Sequence, residues 1–201
     1  MNTAVRICLL AAFAVSLPVV AHAEWQAVEK VETYAISGKT GAELYASIGE
    51  RGPKVGSLGV RTIAHTNFKL TWSRKYEPQK DGACTLVSAR PNLTITYLLP
   101  RPNGKLTPAI RSKWDIFYAG VHAHELVHGD HIKDMVKEIE TLSVGFSVPD
   151  DAGCSKVREE LTKRLAEISL AQRQRSRDFD RVELSDGGNV HQLILALVNG
   201  G

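Results

Sequence analysis

His124-Glu125-Leu126-Val127-His128 sets two imidazoles four residues apart, with a carboxylate directly after the first. On a helix, residues four apart share a face, so both rings can reach one zinc ion. Glu125 is then positioned to act as general base on a water that the metal activates. The surroundings carry the same chemistry: of seven histidines in the chain, His122, His124, His128 and His131 fall within ten residues. The expected ligands are therefore His124 and His128, holding one Zn²⁺ per chain. A solvated, His-rich helical turn is the bland alternative.

Catalytic zinc takes three protein ligands and keeps a position open, so the motif is one ligand short. His131 is the first expectation for the third. It follows His128 by three residues, on the same face, but lies about 7.5 Å along an unbroken helix from the midpoint of the pair. A bend at Gly129-Asp130 would bring it within reach. The spacing is too short for the longer HExxHxxGxxH pattern. The alternative is a carboxylate from a later turn or helix: Glu138 falls on the motif face, and Glu159, Glu160 and Glu167 follow downstream. His65 is a further option. His122 lies about 200° round the helix from His124 and reads as a surface or supporting residue. Asp130 caps or solvates the helix, or orients His128 or His131. Tyr97 and Tyr118 could stabilise an oxyanion, though tyrosine on an apolar face is more often core.

The elements that must position these residues fall into two halves. From Trp25 to about Pro100 the signals are of strands. Val28, Lys30, Glu32, Tyr34 and Ile36 share a parity, and Phe68, Leu70, Trp72 and Leu93, Ile95, Tyr97, Leu99 alternate more cleanly. One short helix interrupts them: Thr40-Gly41-Ala42-Glu43 fits a capping box, Leu44 and Ile48 supply an apolar face, and Arg51-Gly52-Pro53 ends it. Asp81-Gly82 marks a turn just before Cys84. From Thr107, an N-cap followed by Pro108, the period becomes helical. Trp114, Phe117, Val121, His124 and His128 recur at spacings of three and four, which sets the motif on an apolar face. A second amphipathic helix starts near Ser155, with Val157, Leu161, Leu165 and Ile168 as its stripe. The fold class expected is α+β: an antiparallel, strand-rich N-terminal half with one short helix, then the long HExxH helix and a second long helix. The tail from about 185 is poorly defined.

Residues 1–23 read as a cleaved secretory signal. Arg6 supplies the positive n-region, Ile7 to Val20 is a 14-residue apolar run, short of the roughly 20 residues a membrane span needs, and Ala21-His22-Ala23 fits the cleavage pattern. Residues 24–201 then form one domain, periplasmic or secreted, without a stable membrane anchor. Export leaves Cys84 and Cys154, which in an oxidising compartment read as one disulfide. Free thiols or metal ligation are the alternatives, but neither cysteine has a CxxC or CxxH neighbourhood. Net charge is +3 for the whole chain, and +2 once Arg6 is removed. Arg173, Arg175, Arg177 and Arg181 are interleaved with polar and acidic residues and have no aromatic platform, so nucleic acid is not expected as a partner.

A resemblance rests on ordered pieces: Tyr34-x-Ile36-x-Gly38-x-Thr40, Ala64-x-Thr66 followed by Trp72, Cys84, Leu98-Leu99-Pro100, Trp114, and His124-Glu125-x-x-His128. The chain resembles, over roughly Tyr34 to Leu170, a bacterial family (domain of unknown function 922) whose members are labelled predicted secreted Zn-dependent proteases. The resemblance implies a zincin-type assignment, an α+β fold and export, and carries roles onto His124, Glu125 and His128 only. The expected function is an exported zinc metallopeptidase acting on a peptide or protein substrate. The alternatives are a non-enzymatic zinc-binding protein of the cell envelope, or an interaction module whose motif no longer holds metal.

Overall fold

A computed structural model of the chain describes residues 25–56 and 59–199. The expected signal, residues 1–23, lies outside the described residues. In chain order the elements are β1 (Val28–Ile36), α1 (Gly41–Arg51), β2 (Lys54–Val55), β3 (Val60–Arg61), β4 (His65–Pro78), β5 (Cys84–Pro102), α2 (Pro108–Ser143), β6 (Ser147–Val148), α3 (Lys156–Leu184) and α4 (Asn189–Val198). The protein is α+β, with the strands first and the long helices after them.

The 19-residue β5 is the spine of the sheet. β4 returns on it as an antiparallel hairpin partner, from His65↔Leu98 to Pro78↔Cys84, with a register slip after Lys75. The hairpin closes through Asp81-Gly82, where Gly82 adopts φ +85°. On the other side β1 runs parallel to β5, from Val28↔Thr94 to Ile36↔Pro102. The sheet is thus mixed rather than wholly antiparallel. Side-chain alternation has period two in either orientation, so the strand pattern alone does not report direction. The orientation follows from connectivity: α1 and the small β2–β3 hairpin carry the chain away between β1 and β4. Pro91, inside β5, lies between the stretch paired with β6 (Cys84, Thr85) and the stretch paired with β1, where β4 is the neighbour. A residue lacking an N–H is tolerated there.

α1 begins as expected. Thr40 Oγ1 accepts from Glu43 N (3.2 Å), while the Glu43 carboxylate reaches back to Lys39 N (2.7 Å), one residue beyond the usual capping-box partner. Thr107 caps α2 with Pro108 in its first turn. α3 is capped by Asp151, whose carboxylate accepts from the backbone N–H groups of Ser155, Lys156 and Val157.

Two buried clusters hold the helices to the sheet. Leu93, Ile95 and Tyr97 of β5 pack on Ile132, Met135, Val136 and Ile139 of α2 and Ile168 of α3. At the other end Ile36, Leu44, Ile48 and Leu99 meet Trp114, Phe117 and Val121. The segment beyond residue 185, whose role the sequence leaves open, forms α4 and joins this second cluster through Leu197. α4 sits so close to α1 that a Cβ on Gly41 would lie 1.9 Å from Leu197 O, which accounts for glycine there. Among the described residues no helix is long and apolar enough to cross a membrane.

A disulfide joins Cys84 and Cys154, tying the start of β5 to the entry of α3. Cys84 is fully buried and Cys154 nearly so. The bridge closes a loop across 70 positions. Replacing both cysteines by alanine is expected to lower unfolding free energy by about 4 kcal/mol through the freed loop entropy of the unfolded chain. Urea unfolding of the two proteins measures this, and an unchanged midpoint would show the bridge to be thermodynamically idle.

Candidate metal centre

α2 is a single 36-residue helix, and its unbroken 3.6-residue period brings His124 and His128 together. Their ring centroids are 4.8 Å apart, and the two Nε2 atoms face each other at 3.1 Å. The third member comes from the last two turns of α3. Asp180 Oδ1 lies 3.1 Å from His124 Nε2 and 2.8 Å from His128 Nε2. These three donor atoms lie within 4.8 Å of one another. The histidine side chains are 8% and 13% exposed, whereas Asp180 is 43% exposed, so the group opens toward solvent on the aspartate's side.

Whether the residues suit a zinc ion can be judged from this triangle. Around a tetrahedral zinc with bonds of about 2.0–2.1 Å, neighbouring ligand atoms sit about 3.3–3.4 Å apart. The separations of 2.8 to 3.1 Å are a few tenths shorter, within the reach of small rotamer adjustments. Two neutral imidazoles and one carboxylate also form a donor set typical of catalytic zinc, with room for a fourth ligand. The residues fit.

Electrostatics tie the group together. Burial works to raise the Asp180 carboxyl, but hydrogen bonds and charge from the two rings outweigh it and hold the group far below the usual carboxylate range. At His128 burial works downward, while the hydrogen bond and charge of Asp180, with the charge of Glu125, carry the imidazole above its ordinary value. Phe179 stacks on the His124 ring (4.7 Å, 20°) and meets His128 edge-on at 5.5 Å, which restricts both rings.

Glu125 is 5% exposed and is held by Thr66 at the start of β4. The Thr66 hydroxyl lies 2.5 Å from Glu125 Oε2 and 3.2 Å from Glu125 O. On the far side of His124, Nδ1 is buried without a hydrogen-bond partner among the described residues. Glu183 Oε2 is 3.7 Å away, too far to accept, and is itself bound by Asn189 Nδ2 at 3.1 Å.

The other sequence candidates lie elsewhere. His131, expected as third ligand, is not part of the donor group: its Nδ1 is 3.4 Å from Ser176 Oγ and its ring is 6.2 Å from that of His128. α2 runs as one continuous helix through Gly129-Asp130, so the axial separation remains. Burial, then Arg175 and His128, push the His131 imidazole below its ordinary value. Glu138, the alternative, is exposed and lines a groove with Glu160 and Glu167. Glu159 pairs with Lys163 at 3.0 Å. His65 is half-buried at the head of β4 and, like these, stands outside the group. Asp130 pairs with Lys133 at 2.7 Å. His122 sits against Tyr97 and Tyr118, and the Tyr97 hydroxyl donates to Glu29.

Sequence reasoning missed Asp180 and the Thr66 contact. Asp180 continues the α2-facing stripe of α3: Ile168 and Gln172, both buried, then Ser176 and Asp180, both half-buried, step at four. Thr66 entered only as one piece of the resemblance, with no role attached, because a threonine near the start of a strand is ordinary.

Gly129 serves a different purpose from a hinge. A Cβ there would lie 2.1 Å from the Tyr97 hydroxyl and 3.0 Å from Tyr97 Cζ. Tyr97 is 1% exposed and cannot swing away. Gly129→Ala is expected to destabilise by about 1–3 kcal/mol through overpacking. It should also weaken metal binding, since the displaced backbone carries His128. Tyr97→Phe in the same chain removes the nearest atom and should recover part of the loss. Denaturation midpoints of the single and double variants decide it; equal stability of Gly129→Ala and parent would contradict the close approach.

Residues 31–188 match a family described as bacterial protein of unknown function (DUF922). No curated protein and no solved structure matches the chain.

Proposed function

We propose that this chain, which belongs to the DUF922 family of bacterial proteins, is an exported zinc-dependent metallopeptidase of the zincin type. The observation that carries the reading is the convergence of His124 Nε2, His128 Nε2 and Asp180 Oδ1 directly beside a buried glutamate from the same helical turn. His124, His128 and Asp180 would hold one Zn²⁺ per chain, leaving a position open. Bound there, zinc would supply Lewis acidity, activating water and polarising a substrate carbonyl.

The chain's own residues account for the remaining steps. Glu125 takes a proton from the attacking water as its oxygen bonds to the peptide carbonyl carbon. It returns that proton to the amine nitrogen as the C–N bond breaks. Thr66 holds Glu125 Oε2, so the carboxylate need not reorganise between the two transfers. Phe179 and the apolar core behind α2 keep bulk water from the back of the histidines. Export is supported by the signal-like residues 1–23 and by the disulfide, which is stable in an oxidising compartment. Peptides or proteins are the substrate class.

Metal analysis of the chain from Glu24 to Gly201, beside His128→Ala, tests the reading without knowledge of the substrate. One zinc per parent chain, lost in the variant, is the expected result. A parent that takes up no zinc from excess metal overturns it.

A further inference from the structure

We infer that the cavity beside Glu125 receives a bulky apolar side chain of the substrate, next to the bond to be cleaved; the inference rests on the peptidase reading above. The cavity has a volume of about 360 Å³, within the range of small-molecule pockets. Glu125, His124 and Asp180 form one of its sides, so a group lodged in it is contiguous with the reacting centre.

Besides Tyr45 of α1 and the β3 strand, the remaining walls are largely aliphatic: Ile63 and Ala64 ahead of β4, Val121 of α2, Leu184 of α3, and Val190 and Ile194 of α4. Tyr45 and Arg61 bring polar groups to the lining, part of which is used within the chain. Arg61 Nη1 donates to Gly52 O at 2.6 Å, and the Thr62 hydroxyl donates to Ala64 O at 2.8 Å. A leucine- or phenylalanine-sized group entering here would gain apolar contact with these aliphatic side chains, against which a charged or amide side chain would lose water. The acidic side is occupied by residues with their own work, so a basic side chain has no dedicated carboxylate. α4 thereby has a role beyond packing on α1. It closes the cavity with Ile194, which is half-buried and packs against the second of the two clusters.

Amino-acid hydroxamates, which bind zinc through one end and differ only in side chain, test the subsite by calorimetry on the zinc-loaded protein. Leucine hydroxamate is expected to bind at least about tenfold more tightly than glycine hydroxamate. Ile194→Trp, which narrows the cavity, should bring the two within about twofold at unchanged zinc content. Ile194→Ala, which widens it, should keep the preference and improve phenylalanine hydroxamate relative to leucine. Equal binding of glycine and leucine hydroxamates to the zinc-loaded parent overturns the subsite alone, as does a ratio that neither variant moves. A chain that takes up no zinc overturns the peptidase reading, and the subsite with it.

Discussion

Glu125→Gln should retain one zinc per chain while turnover on a peptide mixture falls by about 10²–10⁴-fold, the usual contribution of a positioned acid–base group. The change is nearly isosteric, and the glutamine amide oxygen can still accept from Thr66, which now lies 2.5 Å from Oε2. Packing around this 5%-exposed side chain therefore changes little. What is lost is basicity: an amide neither takes a proton from water nor returns one to an amine. Because Glu125 is not among the three donors facing one another, zinc content should not move. The comparison separates the readings. A zinc-loaded parent no more active than its Gln variant would leave a zinc-binding protein of the cell envelope, with Glu125 incidental.

The sequence was most legible where local chemistry decides structure. The capping residues Thr40 and Thr107, the Gly52-Pro53 stop and the Asp81-Gly82 turn all act over a few residues, and each stands where those residues put it. The alternation of Leu93, Ile95, Tyr97 and Leu99 marks the face that the helices cover. The HExxH pair was legible for the same reason, since four residues on a helix define one face.

What was not legible depends on pairing between distant segments. β1 carries the same alternation whether it runs parallel or antiparallel to β5. The length of α3 was hidden because its stripe turns polar after Ile168, with Gln172, Ser176 and Asp180 facing inward instead of leucines. Ser176 and Asp180 face the histidines of α2 rather than the sheet, and Gln172 donates to Ser176. The candidate site thus erased the hydrophobic signal that would have traced its own helix. α4 was unreadable for a related reason: ten largely apolar residues fit several elements equally until α1 and α2 supply a surface.

Asp180→Ala is expected to weaken zinc binding by at least about a hundredfold, the upper end of what loss of a mere supporting partner costs. His131→Ala should stay within about threefold of the parent. The two helices pack antiparallel, and the pairing shows why. Asp134 meets Arg175, His131 meets Ser176, and His128 and His124 meet Asp180, each step back along α2 matching a step forward along α3. His131 is thus opposite Ser176, roughly a turn beyond the donors. Reaching them would require α2 to bend at Gly129-Asp130. Gly129 is instead used to admit the Tyr97 hydroxyl against an unbroken helix, and the buried packing of Tyr97 resists such a bend. Competition with a chelating dye measures the three affinities. Loss of zinc in His131→Ala with retention in Asp180→Ala would require a bent α2 and a different centre. The opposite pattern would place the third ligand on α3, some fifty residues beyond the motif, where only the register between helices could have revealed it.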